Sequence, residues 1–202
     1  MPALLQVQVT HETQLSQTGI KSDKDEDDDI LVLEADIGTL THRYLELIAN
    51  QGLDAWPLAR LQSLKLAMQR WFTGQGYAMS AANQGADAVL ALLQTTLQSS
   101  QGQWVLQSRE SASNELQIES LGDDNVQVRK KIIDRTFVED GVRWIVDYKT
   151  TALDAGLDEM ALKQTAEAYR QQLEGYAALF ADEGLSIRLA VYFVSIGQLV
   201  TL

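Results

Sequence analysis

The sequence predicts an α/β fold in which a mixed β-sheet is flanked by helices. Three observations lead to this prediction. Apolar residues recur at helical spacing as far as about residue 100, the apolar period changes to two from residue 102, and a further helical segment precedes a last pair of strands. Helices, a strand meander, a helix and closing strands together favour a sheet with helices packed on it. The 202 residues, 46% of them hydrophobic, can fill one substantial core.

The N-terminal part is predicted to be an acidic, partly disordered lead-in over residues 1–37. One domain follows at 38–202, with a helical part at 38–100 and a sheet and helix core at 101–202. The lead-in holds nine acidic and two basic residues, and its run KSDKDEDDD repels itself and stays solvated. The stretch DKDEDDDILVLE also matches the alternating acids of a calcium loop, but Asp28 stands where that loop needs glycine. We therefore interpret the run as a solvated linker.

Three segments of the helical part carry apolar stripes of helical period and are predicted to be packed helices. The first, GTLTHRYLELIAN, has Thr39 or Thr41 available as an N-cap. The second, DAWPLARLQSLKLAMQRWF, has Pro57 near its start, where proline is tolerated. The third, SAANQGADAVLALLQTTLQ, begins near Ser80. Periodic apolar positions belong to a core far more often than to a binding surface, so we assign these stripes to the core.

From residue 102 the pattern predicts strands. QWVLQ is expected to be a short strand, NELQIES and VQVRKKIIDRTFV are longer strands separated by the turn residues GDDN, and GVRWIVDYKT completes a meander. The segment DEMALKQTAEAYRQQLEGYAALFADEG is expected to form one long helix that ends at Gly184. Its apolar stripe consists of Tyr169, Leu173, Tyr176 and Phe180. SIRLAVYFVSI and QLVTL are predicted to be the two final strands.

Composition excludes several classes of protein. The chain has no cysteine, which rules out disulfides, thiolate zinc sites and cysteine-held iron–sulfur clusters and fits a reducing cytoplasm. No apolar run reaches the roughly 18 residues of a membrane span, and the first residues have no signal-peptide pattern. The net charge of −12 argues against a protein that coats nucleic acid, although residues 38–202 carry only −5, which leaves room for a local basic groove. We expect a cytoplasmic protein without a membrane partner.

Charged residues lie inside the two strands of a predicted hairpin, IDRTFVEDGVRWIVDYKT, although strand interiors are normally depleted of charge. Asp140-Gly141 is the preferred dipeptide of a two-residue type I′ turn. That turn would place Asp134 directly opposite Asp147, with Cβ atoms roughly 5 Å apart. Lys149 shares their face because it is two residues from Asp147. A three-residue loop would instead turn Asp134 to the core face and bury a lone carboxylate.

The two faces of this hairpin are expected to differ. The core face collects Ile133, Phe137, Val142, Trp144, Val146 and Tyr148. The other face presents Asp134, Thr136, Asp147 and Lys149. Opposed like charges destabilise a strand pair by about a few tenths of a kcal/mol or more, so a divalent cation such as Mg²⁺ between the aspartates is the natural compensation. The alternative is that Lys149 merely bridges two surface aspartates.

These motifs resemble those of the RecB-type nuclease domain of the PD-(D/E)xK superfamily, which lies at the C-terminus of UvrD-like helicase–nucleases such as RecB and AddA. The resemblance runs from about residue 38 to the C-terminus. GTLTHRYLE resembles the first motif, with His42 as a metal ligand, and IDR resembles the motif of the first metal-binding aspartate, Asp134. DYKT resembles the core motif, with Asp147 as the second carboxylate ligand and Lys149 as the catalytic lysine. In that family the backbone carbonyl at the position of Tyr148 can also bind metal.

Two further matches and several departures accompany these motifs. QLEGY resembles a downstream Q-x-x-x-Y motif, with Gln172 and Tyr176 near the DNA, and Glu115 falls where the family often has an accessory glutamate. Lys131 replaces a common glycine, and Ile133 replaces the nominal proline of the superfamily. The chain lacks both the four cysteines of the iron–sulfur branch and a G-x-x-x-x-G-K-[ST] loop, so we expect no iron–sulfur cluster and no ATP site.

The resemblance implies a restriction-endonuclease-like core and hydrolysis of DNA phosphodiester bonds with Mg²⁺ or Mn²⁺ as cofactor. It also implies single-stranded DNA as the substrate of exonuclease or endonuclease cleavage. The implied partner is a helicase domain in cis or a partner subunit of a helicase–nuclease complex, acting in DNA recombination and repair. Two alternatives stay open. One is a catalytically silent nuclease fold that serves as a DNA-channel wall or subunit interface, and the other is an acidic domain whose N-terminal run docks a basic protein.

Overall fold

A five-stranded mixed sheet with helices on both faces forms the domain in the computed structural model, which describes residues 23–121, 128–153 and 156–202. The predicted α/β fold class is confirmed. The strands are β1 Glu110–Leu121, β2 Val128–Glu139, β3 Val142–Lys149, β4 Ser186–Phe193 and β5 Gln198–Thr201. Their order in the sheet follows the sequence. β3 and β4 pair in parallel, and the other neighbours pair antiparallel.

Helices precede the sheet and form the connection between its two parallel strands. They are α1 Asp23–Gln51, α2 Leu58–Ser63, α3 Lys65–Gly74, α4 Met79–Gln98, α5 Ser100–Leu106, α6 Glu159–Glu167 and α7 Arg170–Ala177, with 3₁₀ turns at Leu53–Ala55 and Ala178–Glu183. α6 and α7 lie between β3 and β4, where a parallel pair requires a crossover. In the described part of the chain, no helix combines the length and the apolar character needed to cross a membrane.

The hairpin between β2 and β3 has the predicted type I′ turn. Asp140 and Gly141 both have left-handed φ angles, of 50° and 74°, as this turn requires. Glu139 therefore pairs with Val142, and the predicted register holds for five successive pairs. The pairs end at Arg135 and Val146, so the predicted pairing of Asp134 with Asp147 lies just beyond the ladder.

The first core joins one face of the sheet to α1–α5. Its sheet residues include Phe137, Trp144, Val146 and Tyr148, all of which were expected on the core face. Full burial of each large apolar side chain stabilises the fold by about 1.5–3 kcal/mol. This core fixes the position of α1 against the sheet, and α1 carries the candidate ligand His42.

The opposite face of the sheet is also packed, against α6 and α7, which corrects the expectation that it only presents polar groups. Leu162 and Leu173 of these helices form a second core with Ile145. Six of the eight β3 residues are buried, because strands with parallel neighbours are usually covered on both faces. Thr136 and Asp147, both expected on the polar face, are therefore buried.

Ile133 lies in this second core, so its predicted place on the first core face is wrong. The regular pairing of β2 with β3 ends at Arg135. At the next position, the carboxylate of Asp134 accepts the backbone N–H of Tyr148 at 2.7 Å. Ile133 lies beyond this interruption, where strict alternation relative to β3 no longer holds.

Helix α1 begins before the predicted first helix and crosses the expected domain boundary without a break. Thr39 and Thr41 are therefore interior rather than N-caps, and their hydroxyls donate to carbonyls four residues earlier, as such side chains do inside helices. The stretch 23–34 is helical rather than a calcium loop. Residues 1–22 lie outside the described part of the chain, so the lead-in at 1–37 stays a prediction.

The segment QWVLQ, predicted as a strand, belongs to α5 as far as Leu106. The hydroxyl of Ser99 accepts the N–H of Gly102 at 3.1 Å, and this N-cap starts the helix. The prediction is wrong because a short apolar run does not distinguish a strand from a buried helix.

The other helix predictions are correct in place but not in continuity. The second predicted helix is divided into a 3₁₀ turn, α2 and α3, with Pro57 directly before α2. The long predicted helix breaks at Ala168 and Tyr169 and continues as α7 and a 3₁₀ turn. Gly184 ends this segment with a φ of 70°, as a C-terminal glycine should. The third predicted helix is confirmed as α4.

Gly102 is a position where even one added carbon does not fit. A Cβ there would overlap the carbonyl oxygen of Thr96 and the hydroxyl of Tyr192. We expect Gly102→Ala to lower the free energy of unfolding by about 1–3 kcal/mol, the usual cost of overpacking, in denaturant titrations. Gly74→Ala is the matched control, because open space surrounds Gly74, and it should change stability by less than about 0.5 kcal/mol. Equal stabilities of the two variants would contradict this account.

Candidate active site

Three carboxylates form a row across the first three strands. The residues before and after Glu115 in β1 pair with the residues after and before Asp134 in β2, which places these two carboxylates opposite each other. Between β2 and β3, the ladder ends at Arg135 and Val146, one position before Asp134 and Asp147. Asp134 is therefore the central member of a row that joins β1, β2 and β3.

His42 reaches this row from α1. Its Nδ1 atom lies 3.3 Å from Oδ1 of Asp134 and 3.7 Å from Oε1 of Glu115. The edge of its ring meets the ring of Tyr148, with centroids 5.8 Å apart. Burial opposes the charged form of His42, but the two carboxylates outweigh it and raise the pKa of the imidazole to about 10.

The carboxylate of Asp134 is held at both oxygens. Oδ1 faces His42, and Oδ2 accepts the backbone N–H of Tyr148 at 2.7 Å. An amide that would otherwise lack a partner at the end of the ladder is satisfied in this way. The orientation of Asp134 toward α1 is therefore fixed by the backbone of β3.

Asp147 points to the opposite layer, toward α7, whereas Asp134 faces His42 of α1. The prediction that the two aspartates share one face of the hairpin is therefore wrong. Asp147 is 5% exposed, and its Oδ1 accepts the side-chain N–H of Gln172 at 3.0 Å. Its Oδ2 forms an ion pair with Nζ of Lys149 at 2.9 Å, without the angle of a good hydrogen bond. Burial raises the pKa of Asp147 and the nearby Asp134 charge adds to this, although Lys149 acts in the opposite direction.

Helix α7 and the residue before it organise the lysine side of the site. Nζ of Lys149 lies 4.2 Å from the centroid of the Tyr169 ring, within the range of a cation–π contact. Gln172 donates both to Asp147 and to the hydroxyl of Tyr176, the latter at 2.9 Å. Tyr176 is 8% exposed and belongs to the second core, so packing beneath Gln172 fits it better than stacking on a base.

The donor set at the α1 side fits a divalent cation. Among the described residues, His42, Glu115 and Asp134 each offer one ligand atom, and these atoms lie within 4.8 Å of one another. Ligands that share one ion at about 2–2.5 Å have such separations. Carboxylate and imidazole are both ligand types that divalent cations accept. Asp147 is outside this group because its oxygens face Gln172 and Lys149.

A groove gives access to these groups. It encloses a cavity of about 1100 Å³ whose walls come from α1, α4, β1 and the residues after β3. His42, Glu115 and Asp134 line it, together with Arg43 and the exposed side chain of Ile132. The groove therefore combines a site for a cation with basic and apolar contacts for a larger ligand.

Carboxylates and a lysine lie on neighbouring strands of a mixed sheet, as the motif resemblance implies. The family model of the PD-(D/E)XK nuclease superfamily matches residues 15–199. The chain belongs to it. A search of the curated proteins finds no match. PD-(D/E)XK nucleases generally use divalent metals, which agrees with the donor set of His42, Glu115 and Asp134.

The structure unites most of the residues that the sequence selected for this PD-(D/E)XK site. His42, Asp134 and the accessory Glu115 meet directly, and Lys149 contacts Asp147. The N–H of Tyr148 supports Asp134, whereas its carbonyl as a metal ligand stays a prediction, as do the DNA contacts of Gln172 and Tyr176. Lys131, one of the departures from the family pattern, lies outside the side chains that the structure describes.

Tyr169 is a site residue that the sequence analysis missed. The sequence assigned it to an apolar stripe, and its ring does border the second core. The same ring also makes a cation–π contact with the ammonium group of Lys149. One signal could have identified it: Tyr169 lies three residues before Gln172, which places both on one face of a continuous helix.

His42 should titrate far above the usual histidine range in the metal-free protein. Its pKa is raised from 6.5 to about 10, so charged His42 stabilises the fold fully below pH 6.5, and this contribution is lost as the pH rises toward 10. An NMR titration of the imidazole in the presence of a chelator measures the pKa. Glu115→Gln should lower it, and Asp134→Asn should lower it further. A wild-type value near 6.5 would show that the carboxylates do not face the ring.

Proposed function

We propose that this PD-(D/E)XK domain is a metal-dependent deoxyribonuclease that hydrolyses phosphodiester bonds with Mg²⁺ or Mn²⁺. One observation carries the proposal: a cation-binding group and an ion-paired lysine lie on the two sides of a single row of carboxylates. Asp134 belongs to the cation group, and Asp147 next to it holds Lys149.

The residues divide the catalytic work between them. A bound divalent cation supplies Lewis-acid polarisation of the phosphate and a lower pKa of the attacking water. His42, Glu115 and Asp134 would hold it, with Asp147 and the carbonyl of Tyr148 as further candidate ligands.

On the other side of the row, Lys149 orients or helps to deprotonate the water and stabilises the negative charge that develops on the phosphate oxygens. Asp147 keeps the Lys149 ammonium in place, and Gln172 fixes the rotamer of Asp147. Both N–H groups of Gln172 are donated within the site, to Asp147 and to Tyr176. The nucleotide contact that the Q-x-x-x-Y motif implies would therefore use the carbonyl oxygen of Gln172 as an acceptor.

The finer assignment follows the motif resemblance. The order of GTLTHRYLE, IDR, DYKT and QLEGY supports a RecB-type domain of a helicase–nuclease that acts in DNA recombination and repair, with the helicase in cis or as a partner subunit. Single-stranded DNA is the proposed substrate, because unpaired bases can use the exposed Ile132 while phosphates meet Arg43 in the groove. A cytoplasmic location is part of the same proposal.

A catalytically silent nuclease fold is the second candidate. The orientation of Asp147 favours it, since the oxygens of this carboxylate contact Gln172 and Lys149 and lie outside the group of His42, Glu115 and Asp134. Such a module would serve as a DNA-channel wall or subunit interface and would bind the cation without cleaving DNA. A third candidate is an acidic domain that docks a basic protein through its N-terminal run. The side chains of that run, residues 21–29, lie outside those that the structure describes.

Metal binding and cleavage of single-stranded DNA together test the proposal. Calorimetric titration of Mn²⁺ should show one saturable site in the wild-type protein, and Asp134→Ala should abolish it. Lys149→Ala should keep Mn²⁺ binding but reduce cleavage at least about a hundredfold, the usual contribution of a proton-transfer or charge-stabilising group.

Lys163→Ala is the matched control, because Lys163 is an exposed lysine of α6 outside the site. It should cleave like the wild type. Mn²⁺ binding without cleavage in the wild-type protein would favour the silent module. Binding that persists in Asp134→Ala would place the cation elsewhere, for example on the acidic run.

Tyr169 should act through Lys149 rather than through the cation. Tyr169→Leu removes the ring beneath the ammonium group and should lower kcat by up to about tenfold, which corresponds to the strength of a cation–π contact. Tyr169→Phe keeps the ring and should remain near the wild-type rate. Both variants should bind Mn²⁺ with unchanged affinity, and a loss of Mn²⁺ affinity in Tyr169→Leu would mean that the residue acts on the whole site.

A further inference from the structure

A chain of hydrogen bonds lies beside the candidate cation group of His42, Glu115 and Asp134. Nη1 of Arg135 donates to Oδ1 of Asn114 at 2.7 Å, and Nδ2 of Asn114 donates to Oδ1 of Asn50 at 2.7 Å. We call these three residues the asparagine–arginine chain. None of the three was selected from the sequence.

Each member of the asparagine–arginine chain lies on the same element as one candidate ligand. Asn50 follows His42 by eight residues on α1, which places both on one face of that helix. Asn114 directly precedes Glu115 on β1, and Arg135 directly follows Asp134 on β2. The chain therefore fixes α1, β1 and β2 relative to one another beside the point where their three ligands meet.

The backbone at Glu115 shows why such a support is required. In a regular strand, successive side chains point to opposite faces, yet Asn114 and Glu115 both contact α1, at Asn50 and His42. The φ angle of Glu115 is 48°, in the left-handed region that a residue with a side chain rarely adopts. Strained backbone of this kind persists where surrounding contacts over-determine it, and it clusters at functional sites.

Arg135 provides a rigid end for the chain. It is 1% exposed, and its other guanidinium nitrogens donate to the carbonyls of Val105 at 3.1 Å and Gln107 at 2.7 Å. These carbonyls belong to the C-terminal end of α5, where carbonyls lack helical partners. Because every nitrogen of the guanidinium has an acceptor, Asn114 is held by a group that cannot move independently.

We propose that Asn50, Asn114 and Arg135 are positioning residues that hold Glu115 in its left-handed conformation and thereby make it a ligand of the cation. This inference rests on the proposed function, since it assumes that a divalent cation binds at His42, Glu115 and Asp134. Mutation of residues that hydrogen-bond to metal ligands, without binding the metal themselves, typically weakens metal affinity about 10- to 100-fold.

The test is a double-mutant cycle read by Mn²⁺ titration calorimetry of the full chain. Asn114→Ala should weaken Mn²⁺ binding by about tenfold or more. In a Glu115→Gln background, the same substitution should have no further effect, because its role is to place that carboxylate. Ser113→Ala, one residue earlier on β1, is the control and should bind Mn²⁺ like the wild type. An equal loss in both backgrounds would overturn the proposal, as would an affinity of Asn114→Ala within about twofold of wild type.

Two further variants keep the test decisive. If Asn114→Ala does not fold, Asn50→Ala removes a bond at the exposed end of the chain and should show the same dependence on Glu115 with a smaller loss. Glu115→Gly should have a higher Tm than Glu115→Ala, because glycine adopts a left-handed φ without strain. The reverse order would mean that Glu115 is not held in this conformation.

The controls separate failure of this inference from failure of the proposed function. A wild-type protein that binds no Mn²⁺ would overturn both. Mn²⁺ binding that is lost in Asp134→Ala but unaffected in Asn114→Ala would leave the proposed function intact and overturn only the role of the asparagine–arginine chain.

Discussion

The hydrogen bond between the backbone N–H of Tyr148 and the carboxylate of Asp134 is the interaction on which the site depends. Its length is 2.7 Å, and it replaces a backbone partner at the point where the β2–β3 ladder ends. The ladder aligns the strands up to this point, and the side chain then uses the free amide as its support. A carboxylate held by a backbone amide keeps its orientation whether or not a cation is present, so the strand end is preorganised.

The largest energetic cost in the carboxylate row is the desolvation of Asp147, not the charge repulsion between Asp134 and Asp147. Like charges on adjacent strands cost about a few tenths of a kcal/mol, whereas moving one ion out of water costs several kcal/mol. Lys149 and Gln172 offset that cost for Asp147. The second core therefore affects the active site, because α6 and α7 bury Asp147 and a buried carboxylate needs a partner such as Lys149.

Local chemistry made part of this architecture predictable. Asp140-Gly141 determined the hairpin register as far as Arg135 and Val146. Asp134 and Asp147 lie directly beyond this pair, but they face different layers. The sequence-based predictions are wrong where the deciding contact is distant or where two local signals compete. QWVLQ follows a serine that caps a helix, and Ile133 changes faces because a side chain interrupts the ladder. The covered second face could not be foreseen from the hairpin alone, since it depends on the parallel pairing of β4.

The site lies where the two cores meet. This explains why some of its residues could not be identified from the sequence. His42 and Asn50 depend on the packing of α1 in the first core, whereas Tyr169 and Gln172 depend on α7 in the second. The sheet carries the carboxylates but orients only Asp134 through its own backbone. Glu115 is oriented from the first layer and Asp147 from the second. Contacts such as Asn114 to Asn50 join positions that are 64 residues apart in the chain, and no periodicity encodes such a pair. A site of this kind is specified by the packing of both layers against one sheet, so its geometry is a property of the whole domain rather than of its four motifs.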